Sequence, residues 1–367
     1  MGFKYNMIFC TLFDSNYLDK GLALYKSLKS HTKTFKIYIL TMDEKSNDIL
    51  NSLHLENVVI IELFSFIKKM KLEKAYKNRT KAEFCWTCTS HLIDYVLTIF
   101  NEKICTYIDS DLYFYSDPSC LIDEIGKKTV QIVEHRFTNS LSDKFALQTS
   151  GKYCVQFNTF KNEKNALDLL RWWEAKCIES CSQSGKDGVM GEQYYLNGWE
   201  KYNFVSILKN LGGGVAPWNI GQYRLVNKVN DAFFLKKRSI VFKLVFYHFH
   251  NISYLSKTKA NIAVFHRRLR TDKKLVEKIY FPYLTELNQI KRFLNKEYGF
   301  YPMITKHPGF KNTNNKTKNR FLNSIGKSGF IGTSKILFLK VRNKILILLN
   351  GKKNIVEIKD DYEEWSI

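Results

Sequence analysis

The stretch Lys103–Pro118, KICTYIDSDLYFYSDP, joins a short apolar run to a pair of acidic residues. Its first part, Lys103–Ile108, is rich in β-branched and aromatic side chains and predicts a buried strand. Asp109 and Asp111 follow directly, with Ser110 between them. Because ligands of open α/β sheets bind beyond the carboxyl ends of the strands, this acidic pair lies where a functional site is expected.

The pattern on either side of this stretch predicts an α/β fold. Apolar runs that predict strands alternate with segments of helical spacing, which favours a mostly parallel, Rossmann-like sheet with helices on both faces. The predicted strands are Tyr5–Phe13, Phe35–Thr41, Asn57–Leu63 and Thr129–Glu134. The predicted helices are Asp19–Ser30, Asp43–Leu53, Lys81–Phe100 and Ala166–Cys181.

The acidic pair has the chemistry of a site for a divalent cation. Carboxylates two residues apart in an extended segment project to the same side, so Asp109 and Asp111 can share one ion. Mg²⁺ and Mn²⁺ prefer such oxygen ligands and are often held by carboxylates together with substrate phosphates. The alternative is two solvated aspartates in a turn.

Four blocks of the sequence, in order, resemble the glycogenin and lipopolysaccharide galactosyltransferase family of GT-A-fold glycosyltransferases. They lie within residues 5–255 and are Ile8–Leu28, Thr106–Pro118, Glu192–Asn197 and Tyr247–Asn251. The resemblance implies a GT-A fold and a metal-dependent enzyme, with Mn²⁺ or Mg²⁺ as cofactor. It also implies a nucleotide-sugar donor, taken to be UDP-linked, and a glycan acceptor in bacterial surface polysaccharide such as lipopolysaccharide or capsule.

The resemblance assigns residues to the donor and to the metal. The expected donor-binding residues are Thr11, Phe13, Tyr17, Trp86, Thr87, Asp109, Ser110 and Asp111. The expected metal ligands are Asp109, Asp111 and one of the late histidines, His248 or His250, with His248 favoured. Alternation in a strand puts both histidines on one face. Core packing is the alternative for Phe13 and Trp86, and a core hydrogen bond is the alternative for one histidine.

Two further groups of residues are expected beside the reacting sugar. Glu192, Gln193 and Asp187 are the catalytic candidates: an inverting transfer needs a carboxylate base, whereas a retaining transfer places a polar side chain below the sugar. The resemblance favours a retaining hexosyl transfer with Gln193 in that position. Trp218 and Asn219 end the glycine-rich loop 212–219 and are candidates for acceptor binding, with core packing as the alternative for Trp218.

Charge is concentrated near the C-terminus. The net charge is +22, and residues 291–353 hold 15 Lys or Arg against one acidic residue. We therefore expect a GT-A domain over residues 1–290 and a basic, partly helical extension over 291–367. This extension suits an anionic membrane surface, or it is a helix that packs its apolar face on the main domain. No signal peptide is visible, which favours a cytoplasmic protein, peripheral on the inner face of the membrane.

Two other functions remain open on sequence grounds. A nucleic-acid-binding protein would use the Lys-rich segment, since phosphate backbones attract such charge. That reading leaves the acidic pair unexplained, and we expect no nucleic-acid partner. A non-catalytic scaffold that binds sugar nucleotides is the third possibility.

Overall fold

The computed structural model describes residues 7–32, 34–138, 140–182, 191–229, 232–264, 272–302 and 354–358, together with Trp365. The strands are β1 (Met7–Phe13), β2 (Phe35–Thr41), β3 (Val58–Ile61), β4 (Ile104–Ile108), β5 (Leu112–Phe114), β6 (Val130–Glu134), β7 (Tyr153–Lys161), β8 (Val205–Ile207), β9 (Arg224–Val229), β10 (Ala232–Lys237), β11 (Ile240–Lys243), β12 (Phe246–His248), β13 (Ser253–Ser256), β14 (Lys259–Asn261) and β15 (Ile355–Glu357). The helices are α1 (Leu18–His31), α2 (Glu44–Ser52), α3 (Leu63–Met70), α4 (Glu73–Asn78), α5 (Lys81–Thr98), α6 (Ser119–Asp123), α7 (Leu141–Ser150), α8 (Lys164–Glu179) and α9 (Lys273–Tyr298).

The central sheet has seven strands in the order β3-β2-β1-β4-β7-β6-β8. Neighbours pair in parallel except at β7, which is antiparallel to both β4 and β6. The predicted mostly parallel α/β sheet is therefore confirmed. The sequence analysis did not identify β7 as a strand, although it lies beside the strand that carries the acidic pair.

Helices cover both faces of this sheet, so its inner strands are buried on both sides. Phe9 of β1 faces a core shared with α1, α2 and α9, whereas Ile8 and Cys10 face a second core shared with α5 and α8. All seven residues of β1 are buried. This explains why the strand reads as a continuous apolar run and not as an alternating one.

The helix before the acidic pair, α5, has the ends and spacing that its sequence predicts. Thr80 and Glu83 form a capping box at its start. Phe84, Cys88 and Leu92 are buried at four-residue intervals and pack on the sheet. The helix thereby supports the back of β4, the strand that ends at the acidic pair.

The late part of the chain returns to the acidic pair. After β4, a turn leads into β5, which leaves the central sheet and pairs antiparallel with β12. His248 at the end of β12 lies opposite Leu112 in this pairing. A two-stranded ribbon thus brings the late histidine block beside Asp111.

The C-terminal boundary differs from the expectation. The predicted division at residue 290 falls inside α9, where Leu287, Ile290 and Leu294 are all buried in the same core. β15 pairs with β14, and Trp365 packs on Phe293. The basic segment 303–353 lies outside the described residues, so its predicted helix and membrane contact stay predictions.

Candidate active site

The acidic pair lies in a tight turn between β4 and β5. The backbone N–H of Asp109 donates to the carbonyl oxygen of Gln156 on β7 at 3.2 Å, and the N–H of Leu112 donates to the carbonyl of Asp109 at 3.1 Å. The N–H of Phe249 donates to the carbonyl of Asp111 at 2.9 Å. Backbone bonds from two different strands therefore fix the turn that carries both carboxylates.

Two histidines join the acidic pair. Nε2 of His248 lies 2.9 Å from Oδ1 of Asp111 and 3.7 Å from Oδ2 of Asp109. Asp111, His248 and His250 each offer a ligand atom, and these atoms lie within 4.8 Å of one another. Two carboxylates and imidazole nitrogens form a donor set that suits Mn²⁺ and also accommodates Mg²⁺ through its oxygens. The residues present therefore fit the expected metal.

Burial and mutual charge shift the protonation of this cluster. Burial raises the pKa of Asp109 to about 6, although His248 opposes the shift. Burial alone would also raise the pKa of Asp111, but the charge and hydrogen bond of His248 hold it well below its usual range. Burial disfavours the imidazolium, yet Asp111 raises the pKa of His248 well above its ordinary value. A proton on His248 thus occupies the position that a cation would take, so metal binding would release it.

Gln156 orients the histidine, and the sequence analysis gave it no such role. Its Oε1 lies 2.7 Å from Nδ1 of His248, and both side chains are buried. An amide oxygen accepts from Nδ1–H, which leaves Nε2 to face the carboxylates. A polar residue inside the apolar run Tyr153–Lys161 was the available signal, because a buried amide needs a partner.

Trp218 and Asn219 lie against the histidines at the end of the glycine-rich loop. The Trp218 ring meets the rings of His248 and His250 edge to face, at centroid distances of 5.2 and 5.6 Å. Asn219 is fully buried: its Nδ2 donates to the carbonyls of His135 and Gly214, and its Oδ1 accepts from the N–H of Ala216. These bonds order the loop itself, so the predicted acceptor contact of Asn219 finds no support in its surroundings.

The end of β1 provides the predicted nucleoside-binding residues. Thr11 is buried, and among the described residues its hydroxyl has no hydrogen-bond partner. Tyr17 is 39% exposed, and its hydroxyl is near enough to Asp111 for the charge of that carboxylate to act on its pKa. Phe13 is buried with its ring against Gly21, where any Cβ would overlap the ring. Phe13 therefore packs in the core, which was the alternative considered for it.

The surroundings of three further predicted donor-binding residues differ: these are Ser110, Trp86 and Thr87. Ser110 is buried in the turn between the two aspartates. Trp86 is half-buried and packs against Gly191, since a Cβ on that glycine would lie 3.6 Å from the indole. The Thr87 hydroxyl donates to the carbonyl of Glu83 at 2.8 Å and accepts from Arg79. The Thr87 hydroxyl therefore has hydrogen-bond partners within residues 79–83. Trp86 instead packs on Gly191, the residue before Glu192.

The Glu192 block lies close enough to the acidic pair to interact with it electrostatically. Burial raises the pKa of Glu192 well above its usual range, and Cys181 and Asp109 add to the shift. Burial therefore favours the neutral form of this carboxyl, which opposes a general-base role. Gln193 is half-buried and begins a turn of 3₁₀ helix. Asp187 lies outside the described residues, and its predicted role stays a prediction.

Within the part of the chain that the structure describes, no helix is both long enough and apolar enough to cross a membrane.

Comparison with known proteins supplies relatives and similar solved structures. No family model matches the chain. The chain is 26% identical over 298 residues to the uncharacterized protein YfnD of Bacillus subtilis, covering 80% of this chain and 92% of that protein. It is 29% identical over 301 residues to the uncharacterized protein YfnF of the same organism, covering 79% and 95%.

Solved structures similar to the chain are glycosyltransferases. The galactosyltransferase LgtC, in complex with donor and acceptor sugar analogues, matches 67% of this chain and 87% of its own at 14% identity, with a TM-score of 0.45. Mouse xyloside xylosyltransferase 1 matches 67% and 98% at 11% identity, also with a TM-score of 0.45. GlyE of Streptococcus pneumoniae matches 57% of this chain and 48% of its own at 18% identity and a TM-score of 0.38, so the chain spans about half of that protein. The expected resemblance to GT-A glycosyltransferases thus has counterparts among the solved structures, and at these values the similarity carries no conclusion about the activity.

Proposed function

We propose that this chain is a metal-dependent glycosyltransferase that moves a hexosyl group from a nucleotide-sugar, most simply a UDP-sugar, to a glycan acceptor. The observation that carries the proposal is the convergence of Asp109, Asp111, His248 and His250 at the carboxyl end of β4. The two aspartates and the two histidines come from sequence blocks that lie more than 130 positions apart. A solvated acidic turn with no function would not require the buried imidazole of His248 opposite Asp111.

In such a transfer one group of residues would bind the metal and the diphosphate of the donor, and a second group would lie beside the transferred sugar. Asp109, Asp111 and one or both histidines would hold Mn²⁺ or Mg²⁺, which supplies charge for the diphosphate of the donor. Gln156 keeps Nε2 of His248 aimed at that position. A polar but uncharged Gln193, beside a Glu192 whose burial favours the neutral carboxyl, supports the retaining outcome, in which no carboxylate deprotonates the acceptor.

The acceptor is proposed to be a growing surface polysaccharide, such as lipopolysaccharide or capsule, on a lipid carrier. The support is the charge of the chain, because the 14 Lys or Arg between 292 and 353 would attract the anionic lipids among which such acceptors reside. Co-sedimentation of the whole protein with phosphatidylglycerol vesicles, compared with phosphatidylcholine vesicles, tests this location. Equal binding to both kinds of vesicle, or binding to neither, would contradict the proposed location at an anionic membrane.

A thermal-shift panel of nucleotide sugars, with and without Mn²⁺, tests the function. A ligand at a hundred times its dissociation constant stabilises the folded state by about 2.7 kcal/mol, which raises the melting temperature by about 3–4 °C for a chain of this size. We expect that shift with one UDP-sugar in the presence of Mn²⁺, and we expect Asp111→Ala to lose it. Asp123→Ala is the matched control, because Asp123 is exposed in α6.

Other outcomes separate the competing functions. No shift with any nucleotide sugar would overturn the proposal, and salt-dependent retention on DNA that Asp111→Ala leaves unchanged would favour a nucleic-acid-binding protein. Metal-dependent hydrolysis of the bound donor, lost in Asp109→Ala, distinguishes an enzyme from a scaffold that binds sugar nucleotides without reacting.

A further inference from the structure

Lys20 is a buried cation in the block Ile8–Leu28 to which the sequence analysis gave no role, and it interacts electrostatically with Asp111. It lies in the first turn of α1 and is only 4% exposed. Its ammonium is 3.7 Å from the ring centroid of Tyr17 and 6.0 Å from that of Tyr254. Across the described ranges no carboxylate forms an ion pair with this ammonium and no acceptor forms a hydrogen bond with it.

The carboxylates near Lys20 act on it from a distance while they are engaged elsewhere. Burial disfavours the charged ammonium, but Tyr17, Asp19 and Asp111 act in the other direction, and the pKa of Lys20 is raised. Asp19 accepts from the Tyr254 hydroxyl at 2.7 Å and from a backbone N–H at 3.0 Å. Lys20 therefore remains charged near neutral pH without a partner that neutralises it.

A second unpaired cation strengthens the positive field at this place. Lys291 of α9 is fully buried, and its ammonium lies 3.2 Å from the ring centroid of Tyr254. Among the described residues its Nζ has no hydrogen-bond partner. Two ammonium groups thus approach one phenol ring, and the more exposed Tyr17 borders the same position. Unpaired buried charge is costly, and an anionic ligand bound at this place would compensate it.

We propose that Lys20 binds the phosphate groups of the donor where they pass from Tyr17 to the Asp111 metal site. This inference rests on the proposed function, because it needs a donor whose nucleoside lies at the end of β1. Lys20 contacts the Tyr17 ring and interacts electrostatically with Asp111, so a nucleoside diphosphate that runs from Tyr17 to a metal at Asp111 would bring its phosphates near this ammonium. The ligand class is therefore a nucleoside diphosphate, and Lys20 acts on its phosphates and not on its base.

Calorimetric titration of wild type, Lys20→Met and Lys20→Arg with UDP and with uridine, all in MnCl₂, tests this assignment. A hydrogen bond to a charged group contributes enough that its loss weakens binding about ten- to a hundredfold. We expect Lys20→Met to lose UDP affinity by that factor while uridine affinity stays unchanged, and Lys20→Arg to recover part of the loss. Lys29→Met is the control, since Lys29 is exposed further along the same helix.

The outcomes distinguish this inference from the function on which it rests. If wild type binds UDP with Mn²⁺ and Lys20→Met binds it equally well, only the assignment of Lys20 is wrong. An equal loss for uridine and UDP would give Lys20 a purely structural role and would also overturn it. If wild type binds no UDP, the proposed function fails, and this inference fails with it.

A measurement on the wild-type protein covers the case in which Lys20→Met does not fold. Reductive methylation followed by mass spectrometry reports the accessibility of each lysine. UDP with Mn²⁺ is expected to protect Lys20 at least threefold and to leave Lys29 unprotected. Equal methylation with and without UDP would contradict the proposal. So would no methylation in either case, because a position that admits a diphosphate also admits formaldehyde.

Discussion

Replacing Lys291 by Met is expected to stabilise the protein near neutral pH. The side chain is fully buried, and the described residues offer its ammonium a phenol ring but no hydrogen bond. Met has a similar length and carries no charge, so it fills the same space without the cost of burying an ammonium group. Lys291→Met therefore isolates the contribution of one buried charge to the free energy of unfolding.

The magnitude follows from the pKa of Lys291. Burial lowers that pKa from 10.5 to about 8, with Asp19 opposing the shift and Lys20 adding to it. At 1.36 kcal/mol per unit, this corresponds to a cost of about 3 kcal/mol when the group is charged. A desolvated cation over an aromatic ring recovers up to about 2 kcal/mol. We expect Lys291→Met to gain about 1–3 kcal/mol at pH 7.

The dependence on pH has a definite sign. Between about pH 8 and 10.5 the unfolded chain keeps the Lys291 proton while the folded chain loses it. The unfolded state then binds more protons, so the stability of the wild type rises with pH across this window. The Met variant lacks this contribution. Its advantage over wild type should therefore be about 2 kcal/mol smaller at pH 9.5 than at pH 7.

Urea unfolding of both proteins at pH 7 and 9.5 provides the assay. Lys278→Met is the control, because Lys278 is exposed on the same helix. We expect the control to change the free energy of unfolding by less than about 0.5 kcal/mol. A Lys291→Met protein that is less stable than wild type at pH 7 would refute the reasoning, because Lys291 would then have a partner that compensates its charge.

Three further perturbations probe the site. Gln156→Leu should weaken Mn²⁺ binding about 10- to 100-fold, because His248 loses the acceptor that orients it; unchanged affinity in calorimetry would contradict this. Glu192→Gln should keep most of the transfer activity, because burial favours the neutral carboxyl and the amide resembles it, whereas a loss of about a hundredfold or more would indicate a general base. Arg136 donates to four carbonyl oxygens beside the loop of Trp218, so Arg136→Met should lower the free energy of unfolding by about 2 kcal/mol or more in urea; equal stability would show that these bonds contribute nothing.

The parts of the fold that could be predicted are those with a local pattern. β1, β2 and β4 are mostly apolar runs rich in β-branched and aromatic residues, and α5 repeats apolar residues at four-residue intervals between a capping box and a loop. Local periodicity reports burial on one or both sides, and this suffices for the order of strands and helices. β7 escaped because Gln156 and Asn158 interrupt its apolar run, although both are buried.

Only those residues of the candidate site that belong to a recognisable sequence block could be predicted. The position of Asp109 and Asp111 after a strand and the alternation around His248 both pointed to the metal cluster. The partners Gln156 and Lys20 could not be predicted, because their roles come from contacts between distant strands and helices. Trp218 and Asn219 were recognised as a pair, but only the structure separates the ring beside the histidines from the amide that orders the loop.

Gln156 connects the two elements that carry Asp109 and His248, which are proposed here as metal ligands. Its backbone carbonyl accepts from the N–H of Asp109, and its side-chain oxygen faces the ring of His248. The two ligands therefore share one support on β7 and cannot adjust independently of each other. Most of the entropy that a flexible site would lose on binding an ion is already lost on folding. Such a rigid cavity accepts ions by size, so selectivity between Mn²⁺ and larger cations such as Ca²⁺ would depend on how β7 packs in the sheet.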